Sequence, residues 1–107
     1  MAAEGYAYQN FMLAVDGMAT GVGGIRERLA DACKAHFVML FFEDFDDAED
    51  RADFEFIKGA LTKTPATGSE GSVEASVAAM TNEECRAVAK RIVKLRDSLQ
   101  ERDPLRS

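Results

Sequence analysis

The sequence predicts an all-α domain, a compact bundle of four main helices with a candidate short fifth. Three observations carry this. Apolar residues recur at helical spacing from Tyr8, from Ile25 and from Cys85. Thr81 and Glu84 form a capping box at the head of the last of these runs. The stretches between the runs are rich in Gly, Ser, Thr and Pro and read as turns.

The chain has 107 residues, 47% hydrophobic and 30% charged. That makes one domain, residues 1–107, with an apolar fraction able to bury roughly two-thirds of its unfolded surface. Residues 1–5 are small and are expected to fray. The first helix then buries Tyr8, Phe11, Met12, Val15 and Met18 or Ala19. Gly21, Gly23 and Gly24 disfavour its continuation.

A second helix reads from Ile25 to about Phe41, with Ile25, Leu29, Ala32, Cys33, His36 and Leu40 on one face. A buried strand competes over residues 36–42, because short apolar runs are ambiguous. The unbroken periodicity favours helix. Asp46 or Asp47 is a suitable N-cap for a third helix, which ends near Leu61 and buries Phe54, Ile57 and Leu61. Residues 62–72 form a long loop. Ser72 to Met80 fits a short helix capped by Ser72 or a strand; a lone strand has no partner, so helix is preferred. In the last helix, Cys85, Val88, Ile92, Leu95 and Leu99 alternate steps of three and four, a knobs-into-holes seam. Pro104 ends it, leaving residues 103–107 as a tail.

The net charge of −6 argues against direct nucleic-acid binding, which needs a basic face. No apolar run approaches the roughly 18–20 residues of a membrane span, and no charged leader or lipidation box is present. A cytoplasmic location follows as the expectation. Cys33 and Cys85 are too few for a disulfide framework and read as buried thiols.

Between Glu43 and Glu55 stand eight acids and one base. Counted from Asp44, this run superficially follows a calcium loop. Ala48 offers no ligand at the fifth position, however, and Glu49 replaces the glycine needed at the sixth. The run therefore reads as a solvated helix start, or as an acidic contact surface made by Glu43, Asp44, Asp46, Asp47, Glu49 and Asp50. His36 and Cys33 lie one turn apart but supply only two metal ligands, and no catalytic or cofactor motif surrounds them. The Gly21–Gly24 turn lacks the Lys and Ser/Thr of a phosphate loop and follows a helix, so it reads as an interhelical turn. The basic stripe Arg86, Lys90, Arg91 and Lys94 is interleaved with acids and reads as a solvated face. Arg96 falls within the apolar arc, where it snorkels or forms a buried ion pair with the acidic segment.

Ile25–Ala32 (IRERLADA), Arg51–Thr62 (RADFEFIKGALT), Glu70–Glu84 (EGSVEASVAAMTNEE) and the closing helix resemble short all-helical bacterial proteins of about a hundred residues that carry no assigned activity. The resemblance spans residues 10–100. It implies a bacterial, cytosolic origin and no catalytic residue.

The functional expectation is a non-enzymatic interaction or regulatory module, without cofactor, that dimerises or docks on a larger protein. Its anchor would be an apolar patch of Val38, Phe41, Phe42 and Phe45 with an acidic rim. A second reading is an acidic inhibitor or nucleic-acid mimic that fills a basic groove through residues 43–55. A third is a metal or thiol enzyme built on Cys33, His36 and Cys85.

Overall fold

Gly21 to Gly24 divide the first two apolar runs, and the glycines are used for their backbone. A Cβ on Gly21 would stand 2.8 Å from the Gly17 carbonyl, and Gly23 has φ 91°. The computed structural model of the protein describes residues 3–37, 40, 44–65 and 71–102. Within them are five helices: α1 (Ala3–Thr20), α2 (Ile25–His36), α3 (Ala48–Leu61), α4 (Ser72–Ala78) and α5 (Asn82–Arg102). The described residues include no strand. The fold is the all-α bundle the periodicity predicts, and the segment after Ser72 is helical. None of these helices is long and apolar enough to cross a membrane.

The last helix packs α1, α2 and α3 around itself, and α4 lies against α2 and α3. Its seam of Cys85, Val88, Ile92, Leu95 and Leu99 is buried throughout. Each such large aliphatic side chain contributes about 1.5–3 kcal/mol relative to an exposed one. The Thr81 N–H donates to Glu84 Oε1 at 2.8 Å, and the Glu84 N–H donates to Thr81 Oγ1 at 3.1 Å. That reciprocal pair is the capping box read in the sequence. Asp47 caps α3, accepting from the N–H groups of Glu49 and Asp50.

Four expectations are corrected. The first helix starts at Ala3 instead of fraying through residue 5. Its buried stripe is Ala7, Phe11, Ala14 and Met18, while Met12 is 40% exposed and Ala19 is exposed. The two alanines permit close approach, so small residues, not the larger Met12, mark the packed face. The second helix stops at His36, well short of Phe41. Lys58 Nζ on α3 donates to the carbonyls of Phe37 (3.5 Å) and Leu40 (3.0 Å). A tertiary donor thus satisfies carbonyls that a longer helix would have used internally. Finally, Gly71 is the N-cap of α4 and Ser72 is its first helical residue.

Aromatic rings fill the centre. Phe11 lies 4.5 Å from Phe37, 5.9 Å from Phe45 and 6.5 Å from Phe54, and Phe45 lies 4.6 Å from Phe54. Their tilted and edge-on arrangements are the geometries aromatic pairs prefer.

Candidate functional site

Two acids of the charged segment, Asp50 and Asp53, are drawn into the fold. On α3, Asp50 and Asp53 lie at i, i+3 and face α5, which runs antiparallel to it. Ser98 Oγ donates to Asp50 Oδ1 at 2.9 Å. Asp53, 5% exposed, accepts from Arg91 Nη1 at 3.2 Å and Lys94 Nζ at 2.8 Å. Lys94 also reaches Glu49 at 3.6 Å. Its ammonium is held above the ordinary lysine value, first by the hydrogen bond to Asp53.

The expected contact surface is corrected at Asp50, which is buried. Asp47 serves as a cap, and Glu49 stays exposed beside Lys94. Asp46 is exposed and Asp44 half-buried. Glu43 lies outside the described residues.

The expected apolar anchor is corrected at Phe45. It is 0% exposed, at the centre of the phenylalanine cluster, so it cannot face a partner. Val38, Phe41 and Phe42 lie outside the described residues. Arg96 is corrected too. Its Nε pairs with the adjacent Asp97 at 2.8 Å, at the helix edge with over half of Asp97 in solvent. Among the described residues the ion pairs with a buried acid are those of Asp53 with Arg91 and Lys94, which the sequence placed on the polar side of α5. That removes two members from the basic stripe.

Both cysteines are free and buried. Burial pushes the Cys33 thiol up to about 12 and raises that of Cys85. Raised values oppose the thiolate that nucleophiles and metal ligands require. His36 ends α2 half-buried. Among the described residues no group of three or more His, Cys, Asp or Glu is gathered to hold a metal ion. At the glycine turn, Glu27 Oε1 accepts the Gly24 N–H at 2.9 Å. An internal carboxylate therefore sits where a phosphate would bind.

Sequence reasoning missed two features. Arg26 on α2 clamps the α4–α5 turn. Its Nε donates to the Val77 carbonyl at 3.4 Å, Nη2 to the Met80 carbonyl and Nη1 to Asn82 Oδ1 at 3.3 Å. Two of the three acceptors are backbone carbonyls in and just after the last turn of α4, and the Val77 carbonyl also accepts the Met80 N–H at 3.1 Å. No local pattern reveals this, since the partners stand more than fifty positions away.

The second feature is an open groove of about 500 Å³ between α3, α4 and α5. Phe56, Gly59 and Ala60 form one wall and Ala87 and Val88 the other, with Ser76, Ala79 and Met80 closing one end. Glu55, Lys63 and Glu84 stand on its rim, with Thr64 beside Lys63. The wall residues of α3 lie at i, i+3, i+4, a face the sequence analysis left unassigned. Phe56 remains 42% exposed, its ring 4.1 Å from the Arg91 guanidinium carbon. Ser76 Oγ accepts the Thr64 N–H at 2.9 Å and donates to its carbonyl at 3.3 Å, fixing the groove's closed end. The Thr81 N–H holds the Glu84 carboxyl below the usual range, so the rim acid stays ionised. Gly59, in the middle of α3, has open space where a Cβ would stand.

No family model, curated protein or solved structure matches the chain.

Proposed function

We propose that this chain is a non-enzymatic protein–protein interaction module whose docking surface is the groove between α3, α4 and α5. The observation that carries the reading is Phe56, an aromatic ring left 42% exposed on the wall of an open apolar groove with a charged rim. Aromatic anchors in such settings supply much of the binding energy at interfaces. The occupant is a segment of another protein that presents apolar side chains to Phe56 and Ala60. The buried high-pKa thiols favour this reading over thiol chemistry, and free thiols suit the reducing cytoplasm.

A photo-crosslinking amino acid placed at Phe56, with exposed Val22 as the control position, tests the proposal in the source cell. The expected result is a partner trapped from position 56 whose purified form binds the wild-type chain and loses at least about tenfold in affinity against Phe56→Ala, as for an interfacial anchor. Equal trapping from positions 56 and 22, or a purified partner indifferent to Phe56→Ala, would overturn it.

A further inference from the structure

We infer that the occupant of the groove is an amphipathic helix of a partner protein, seated over about one and a half turns and flanked by basic residues. This rests on the groove reading above and names the partner's chemistry. The stretch of α3 that lines the groove runs from Glu55 to Ala60, six residues, or about 9 Å of helix. That length matches about one and a half turns of a helix laid along α3 and α5.

The charge of the rim selects the partner's flanks. Glu55 is exposed and makes no ion pair among the described residues, and Glu84 is held ionised by its backbone hydrogen bond. Among the described lining residues Lys63 is the one cation, near enough to Glu84 to help hold its carboxyl low. Arg91, beside Phe56, is already engaged by Asp53. The rim is net acidic in a chain of net charge −6, so Lys or Arg flanking the apolar face of the partner is favoured. Helix-in-groove recognition reads such a ligand as apolar anchors at i, i+3, i+4 and i+7.

Gly59 fits the same geometry. No turn, positive φ or internal contact requires a glycine there, and its bare backbone faces the groove. It lets a partner helix approach closely.

The test is a display library of helical peptides about four turns long. Apolar residues occupy one face, and the flanking positions are drawn from Lys, Glu and Ser. The expected outcome is enrichment of Lys-flanked sequences that gain helicity on binding and weaken steeply with added salt. Gly59→Leu, which fills open space and improves helix propensity, should melt no lower than wild type yet bind at least about tenfold more weakly. Glu55→Lys should move the enriched flanks from Lys to Glu.

Binders that need Phe56 but ignore Gly59→Leu and show no flank preference would overturn the helical, basic occupant and leave groove docking standing. Binders that perturb Tyr6, Met12 and Leu13 on α1 instead, or no enrichment at all, would overturn it as well. So would a dimer in sedimentation that Gly59→Leu dissociates, since the occupant would then be a second copy. The crosslink from position 56 judges groove docking itself, independently of the library.

Discussion

Asp53 on α3 and Arg91 on α5 are joined by a 3.2 Å ion pair whose acid is almost wholly buried and whose base is about one-third exposed. The pair, with Lys94 on the same carboxylate, sets the register of α3 against α5 and places Arg91 over Phe56. Removing the acid leaves two cations without their shared partner, both able to turn toward water. Asp53→Ala should therefore cost about 1–3 kcal/mol, less than a fully buried pair would. Arg91→Ala should cost less, because Lys94 remains. Urea titration of both single variants and the double variant measures the coupling.

Phe45 is a core residue, and its removal opens a cavity among Phe11 and Phe54. Phe45→Ala should destabilise the chain by about 3–5 kcal/mol. Solution mass should not change at concentrations where the variant stays folded. An altered oligomeric state with unchanged stability would return Phe45 to an interface.

The buried thiols link stability to alkaline pH. Cys33 is pushed up to about 12 in the folded chain, against roughly 8.5 when unfolded. Between those values the unfolded state loses its proton first. The stabilisation is complete below the unfolded value and is lost as pH rises toward the folded one, by about 1 kcal/mol per pH unit. Cys33→Ala should flatten that slope. In the folded protein a thiol reagent should react only as fast as the chain opens.

The capping box gives the opposite dependence. The Glu84 carboxyl is lowered by the Thr81 N–H, so its contribution is present above the unfolded carboxylate value and lost as pH falls through the folded one. The melting temperatures of wild type and Glu84→Ala should converge in acid and separate toward neutral pH. Thr81→Ala should cost about 1 kcal/mol through loss of the cap.

Gly59→Ala should stabilise the chain by about 0.5–1 kcal/mol, since a helical interior glycine is replaced with no contact created. Thermal melting checks it. A loss of stability would show that the site is closed and would undercut the use of Gly59→Leu as a groove-filling probe.

The sequence alone determined whatever depends on near neighbours along the chain. The seam and capping box of α5, the Asp47 cap of α3 and the glycine turn before α2 are local patterns, legible because helical spacing and cap chemistry act within a few residues. The all-α class follows from them. The tertiary structure decided what depends on partners distant in sequence. Lys58 ends α2 by taking the carbonyls of Phe37 and Leu40. Ala7 and Ala14 are buried and Met12 is exposed on a helix that packs against α2 and α5. Arg91 and Lys94 draw Asp53 inward, so one acid of a run that reads as solvent-facing becomes part of the packing between α3 and α5. The groove exists only once α3, α4 and α5 meet. A charge pattern in one dimension records which residues are ionic, and only the folded chain decides which charges find each other and which side chains stay uncovered.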